Sequence, residues 1–207
     1  MSAFRVVAND ESEGERVENA LDARALPIEM RAGDCDAALA EAAKDDPHAF
    51  GELYERYYAR VYRYVYHRLA NPTDAEDITA LVFMKALEAL PSYQSRRNTF
   101  APWIFRITRN AVIDHYRRRR FQTSIDDLEH HSGESDPAGY VLNCERAEEL
   151  AALVQHLSDE QRDVVLLRFA GDLSFAEIGA VLKKNEPAVR MLLHRGLRKM
   201  KTVMEDA

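Results

Sequence analysis

Only two cysteines, Cys35 and Cys144, occur in 207 residues, and neither belongs to a CxxC pair. No disulfide framework or zinc site can be built from them, and a reducing cytoplasm is the expected setting. Glycine is scarce, at eight residues, and no Gly-rich phosphate loop is present. Apolar runs end after a few residues, which excludes a membrane-spanning helix and predicts no membrane insertion. The stretch MSAFRVVANDESEGE lacks a basic start followed by an apolar core, so no signal peptide is read there. His130 and His131 stand together without further ligands, so no metal is expected. Asp114 and His115 are neighbours that diverge by about 100° on a helix. No nucleophile–base set stands out, so the chain is read as a non-enzyme without cofactors.

Positive charge is short overall but not everywhere. The net charge is −7 with a pI near 5.5. Residues 1–47 carry 12 acidic and 5 basic side chains, and residues 48–121 carry 7 acidic and 13 basic. Residues 122–145 carry 6 acidic and no basic side chains, and residues 146–207 carry 10 of each. The basic block closes on RNAVIDHYRRRR, residues 109–120. Such alternation suits a nucleic-acid surface whose field is partly offset by acidic segments of the same chain.

With 46% hydrophobic residues the chain can bury a core. The periodicity is helical throughout and no β pattern occurs, so the predicted fold is all-α, in two small modules. Phe50, Leu53, Tyr54, Tyr57, Val61, Tyr64, Val65 and Leu69 recur at three- and four-residue steps, one apolar stripe on a helix. Asn71–Pro72 ends it. Thr73 then reads as the N-cap of a helix with Asp74, Glu76 and Asp77 in its first turn, where carboxylates meet the helix dipole. Pro91 stops that helix. Thr99 reads as the cap of the next, whose stripe holds Trp103, Ile104, Ile107, Ala111, Val112 and His115. The predicted organisation is an acidic, mostly disordered extension over 1–46, a first module over 47–121, an acidic linker over 122–144 and a second module over 145–207. A twenty-residue unpatterned connector is rare inside one compact domain.

In the second module Ser158, Ser174 and Asn185 read as N-caps. LSFAEIGAVL, KKN and EPAVRMLLHRGL form a candidate helix-turn-helix. The outward face of its second helix holds Glu186, Arg190, Met191, His194, Arg195 and Arg198. In such a motif the second helix enters the major groove, where Arg can read guanine or hold phosphate. An ordinary helical hairpin with a solvated charged face remains the alternative on pattern alone. In the first module Arg96, Arg97, Arg106, Arg109 and Arg117 to Arg120 alternate with Tyr93, Phe100, Trp103, Phe105 and Tyr116. Basic charge interleaved with aromatics suits single-stranded nucleic acid, although Trp103 also lies on the apolar stripe.

Four stretches together resemble bacterial RNA polymerase sigma factors of the extracytoplasmic-function (ECF, group IV) type, which keep sigma regions 2 and 4. They are FGELYERYYARVYRYV, DAEDITALVFMKALEAL, FAPWIFRITRNAVIDHYRRR and LSDEQRDVVLLRFAGDLSFAEIGAVL with VRMLLHRGLRKM. The resemblance implies a promoter-specificity subunit that binds RNA polymerase core, through the β′ clamp helices and the β flap, and recognises promoter DNA. It implies core contacts at Asp74, Glu76, Asp77, Phe83 and Lys85. It implies −10 DNA contacts at Tyr93, Arg96, Arg97, Asn98, Trp103, Arg106, Arg109, Asn110, Arg117 and Arg120. It implies −35 DNA contacts at Lys184, Asn185, Glu186, Arg190, Met191, His194, Arg195 and Arg198. An anti-sigma partner is expected as well.

The chain departs from the family pattern in places. Ala80-Leu81 stand where Gln-Glu is common, Lys183-Lys184 replace the usual glycine and apolar residue of the turn, and Pro187-Ala188 replace Gly-Thr. Leu192 stands where an arginine is common. A stand-alone helix-turn-helix regulator is the competing reading, but it leaves the DAEDI helix, the aromatic-basic loop and the linker without a role. For the acidic extension, the expectation to test is a brake that screens the basic block.

Overall fold

The computed structural model describes residues 32–94, 99–123 and 144–205. Among them every regular element is helical, as the periodicity predicts. The helices are α1 (Ala32–Ala42), α2 (Pro47–Leu69), α3 (Pro72–Ala89), α4 (Phe100–Thr123), α5 (Cys144–Gln155), α6 (Asp159–Phe169), α7 (Phe175–Leu182) and α8 (Glu186–Glu205). A single 3-10 turn, Leu90–Ser92, follows α3.

Local chemistry explains the boundaries. Asp46 accepts from the His48 N–H to open α2, with Pro47 at the first helical position. α2 ends at Ala70, which takes a left-handed conformation (φ 53°) and donates its N–H to the Tyr66 carbonyl. The cap of α3 is Asn71, not Thr73: its side chain accepts from the Asp74 N–H at 2.9 Å, and Pro72 occupies the first turn. Thr73 is displaced because Pro72 already has helical φ and needs no donor partner. Ser158 and Ser174 each form a reciprocal capping box, with Gln161 and Glu177. Asn185 accepts from the Ala188 N–H at 3.0 Å and opens α8.

α2, α3 and α4 pack on one another to form the first module; α6, α7 and α8 form the second, with α5 against α8. Leu53, Val61, Tyr64, Val65, Val82, Ile104, Phe105 and Val112 are buried in the first. Val164, Leu167, Ile178, Val189 and Leu193 are buried in the second. Each such side chain contributes ~1.5–3 kcal/mol relative to exposure. The two sets join in one continuous core, because α4 also packs on α7, and α2 on α5 and α6.

The boundary expected at residue 46 is corrected for its last part. α1 packs on α2 and α4, and Ala40 and Ala43 enter the core. Asp36, 6% exposed, accepts from Tyr57 Oη at 2.6 Å and pairs with Arg56 at 2.7 Å. This acidic stretch therefore supplies a buried anion to α2. Of the linker expected over 122–144, residues 122, 123 and 144 belong to α4 and α5, while residues 124–143, like residues 1–31, lie outside the described residues, as do the expectations placed on them.

Candidate nucleic-acid interface

The helix-turn-helix is built around a left-handed turn residue and one close approach. Lys183, where α7 ends, takes a left-handed conformation at φ 56°. The chain then turns so sharply that a Cβ on Gly179 would stand 2.6 Å from the Lys184 carbonyl oxygen. Glycine is demanded on α7, one turn before the position where the family pattern usually places it. Phe175, Ile178, Val189 and Leu193 fill the space between the two helices.

On α8 the predicted face divides. Glu186, Met191, His194, Arg195 and Arg198 are exposed together on one side. Arg190 is half-buried, its guanidinium 4.1 Å above the Phe175 ring. Lys184 is held by Glu160 at 2.8 Å, and Asn185 serves as the cap. Leu192 is partly buried against the core, so it packs where an arginine would reach outward.

The first module presents fewer of its predicted groups. Tyr93 is 2% exposed, with its ring against Phe100 and Trp103, and burial pushes its hydroxyl up to about 12. Its assignment as a DNA contact is corrected: it is a core residue, because the rings of Tyr93, Phe100 and Trp103 pack on one another. Trp103 lies partly buried in the same cluster, 5.3 Å from Phe100. Arg106 is half-buried and Asn110 exposed. Arg117 is exposed, 3.3 Å from Asp114. Arg96, Arg97, Asn98 and the side chain of Arg120 lie outside the described residues. Thr99 donates to Glu177 of α7 at 3.0 Å, a contact between modules.

On α3, Phe83 is 5% exposed, covered by Tyr54 and Tyr58. It too is corrected from surface contact to core, since it faces α2 rather than solvent. Asp74 is half-buried, 3.6 Å from His115 Nε2 and 3.5 Å from Arg119, and so ties α3 to α4. Glu76 and Asp77 are exposed and Lys85 is half-buried. Two residues that sequence reasoning missed, Met84 and Leu87, are 60% and 54% exposed. They extend the stripe begun by Asp77 and Ala80 along the same helical face. Large apolar side chains left outward on that face are the missed signal.

Arg109 is placed differently from its neighbours on α4. Its Nε donates to Asp163 Oδ2 at 2.7 Å, across the contact between the modules. Tyr64 donates to the other oxygen of Asp163 at 2.9 Å, and Arg68 Nη1 lies 3.5 Å from it. Asp163 is 1% exposed and Arg68 4%. A cleft of about 440 Å³ beside them is lined by Arg68, Arg109, Tyr116, Asp159 and Arg162, among others.

The family profile "Sigma-70 region 2" matches residues 53–122, and "Sigma-70, region 4" matches residues 147–200. The ECF RNA polymerase sigma factor BldN of Streptomyces coelicolor is 34% identical, over 84% of this chain and 69% of its own. The ECF RNA polymerase sigma factor SigW of Bacillus subtilis is 26% identical, over 81% of this chain and 95% of its own. Among solved structures, CnrH in complex with the cytosolic domain of CnrY shares the fold at a TM-score of 0.65. That match has 24% identity and covers 83% of this chain and 97% of the other. RpoE in complex with the anti-sigma factor NepR, from Bartonella quintana, matches at a TM-score of 0.63. Its identity is 20%, over 75% of this chain and 96% of the other.

Proposed function

The chain belongs to the ECF class of RNA polymerase sigma factors, and from that membership we propose how its surfaces divide the work. It is a promoter-specificity subunit. The first module takes the −10 element and the second the −35 element, with RNA polymerase core as the common partner. The work is binding and strand separation rather than covalent chemistry, and it takes place in the cytoplasm, where the polymerase is.

The observation that carries the division is the pair of outward faces. Glu186, Met191, His194, Arg195 and Arg198 of α8 stand clear as a groove-reading surface. Glu76, Asp77, Met84 and Leu87 of α3 form an acidic-to-apolar stripe suited to a helical partner on the core enzyme. Arg106, Asn110, Arg117 and the loop arginines Arg96 and Arg97 are the −10 contacts. Trp103 contributes as the wall on which a displaced base packs. Flipping a base costs a few kcal/mol, which such stacking and phosphate contacts must offset. An anti-sigma factor that covers these faces is a further partner.

The test is reconstitution. Purified core polymerase plus this protein should open a promoter that neither opens alone, read by permanganate reactivity of unpaired thymines. Absence of binding to core would end the assignment.

A further inference from the structure

Tyr64, Arg68 and Arg109 all belong to the first module, yet they converge on a single carboxylate of the second. Asp163 accepts from the Tyr64 hydroxyl and Arg109 Nε, with Arg68 Nη1 beside the same oxygen as Tyr64. Two cations and a hydroxyl aimed at one point make a site for an oxyanion, whoever supplies it. Without Asp163 the two guanidinium groups would be left facing each other. Arg68 already has Nε and Nη1 buried without a hydrogen bond. Arg109 lies on α4, the helix that carries Arg106 and Arg117, where backbone phosphate is the expected ligand.

We propose that Tyr64, Arg68 and Arg109 form a cradle for a promoter backbone phosphate, and that Asp163 is its internal surrogate. The proposal rests on the reading of the chain as a sigma factor. Contact between the modules and contact with that phosphate then exclude one another. The closed arrangement is held by further links outside the cradle. Arg60 donates to the Gly171 carbonyl, and Thr99 donates to Glu177. In the same arrangement the outward face of α8 stays open. The free protein therefore offers its −35 surface while withholding a −10 phosphate contact. DNA affinity is reduced by the fraction of molecules that are open.

Two ways of opening the protein separate this from a merely structural ion pair. Asp163→Asn removes the surrogate charge. Arg60→Ala breaks a link outside the cradle and itself removes a positive charge. Both should expand the free full-length chain in small-angle X-ray scattering. Both should bind a promoter duplex about tenfold tighter than wild type at low salt, if about a tenth of wild-type molecules are open. Arg109→Ala should also expand the protein, because it removes the shortest link between Asp163 and the first module, yet bind DNA no tighter than wild type. Glu205→Gln, exposed at the end of α8, controls for the charge change of Asp163→Asn and should leave both readings unchanged.

Equal gains for Arg109→Ala and Asp163→Asn would overturn the cradle. Expansion of the wild type by inorganic phosphate, at the concentration where duplex acts, would overturn the assignment to backbone phosphate, since the site would then take free phosphate. If Asp163→Asn fails to fold, judged by its helical circular dichroism, Arg60→Ala and Arg109→Ala still decide. Binding to core polymerase is measured for every protein. Loss of core binding by wild type would count against the sigma assignment, whereas intact core binding with no gain in the opened variants would count against the cradle alone.

Discussion

Arg60 and Gly171 are 111 residues apart in sequence, yet the guanidinium Nε of the first donates to the carbonyl of the second at 2.8 Å. Arg60 also lies 4.8 Å from the Tyr57 ring centroid, so the side chain is held on α2 before it reaches across. Gly171 has no room for a side chain. A Cβ there would stand 2.7 Å from the Leu167 carbonyl oxygen and 3.1 Å from Phe105 Cε1 in the other module. Gly171→Ala should therefore lower stability by about 1–3 kcal/mol in urea titration and expand the protein in scattering. Unchanged values of both would show that the contact has slack.

The helix-turn-helix depends on a second close approach. Gly179→Ala drives a Cβ against a backbone oxygen, which cannot rotate away as a side chain would. The second module should lose at least about 2 kcal/mol. Binding to a −35 duplex should fall with it, while binding to core polymerase through α3 persists. A variant that melts and binds like wild type would contradict the geometry of the turn.

Capping separates two adjacent candidates at the start of α3. Asn71→Ala removes the acceptor of the Asp74 N–H and should cost about 1 kcal/mol. Thr73→Ala, at an exposed position inside the first turn, should cost measurably less. Thermal denaturation of the two variants side by side decides, and the reverse order would restore Thr73 as the cap.

On α3, burial and exposure make opposite forecasts for neighbours. Phe83→Ala removes a ring from under Tyr54 and Tyr58 and should cost about 3–5 kcal/mol of stability. Met84→Asp with Leu87→Asp should leave the melting curve nearly unchanged and weaken core binding by about tenfold or more. Surface plasmon resonance with immobilised core measures the second effect. Full affinity in that double variant would move the polymerase contact elsewhere.

His67 predicts a pH response. Burial first, and then the neighbouring charge of Arg63, lower its pKa below the ordinary 6.5. The folded protein thus favours the neutral ring, while the unfolded chain takes up a proton near 6.5. The stabilising contribution is complete above that value and is lost as pH falls through it toward the folded-state pKa. Unfolding free energy should decline between about pH 7.5 and pH 5.5, with part of the slope abolished in His67→Gln. An identical slope in that variant would assign the effect to other groups.

Much of the fold was legible because helical periodicity and capping are local. Ser158, Ser174 and Asn185 start their helices as read, since a side-chain oxygen three residues ahead of a free N–H is sufficient. Tyr57, Val61, Tyr64 and Val65 point inward as their spacing indicates. The misreadings share a different cause. Tyr93 and Phe83 have surface-compatible types and helical or loop positions, but a second element covers each of them. The acidic composition of 1–46 read as a mostly disordered extension, whereas Asp36 meets the buried Tyr57 hydroxyl and the exposed Arg56 on α2.

By itself the amino-acid sequence determined the helical periodicity from residue 47 onward, the alternation of charge and the order of two modules, because each depends on residues within a few turns of one another. The tertiary structure decided which of those residues are available. Arg109 and Arg106 are three residues apart on one basic helix, and only the packing of α6 against α2 gives Arg109 a buried carboxylate. Asp163 and Arg109 are 54 positions apart in the chain. No pattern in either segment encodes their meeting, since it arises from how the two modules pack on each other.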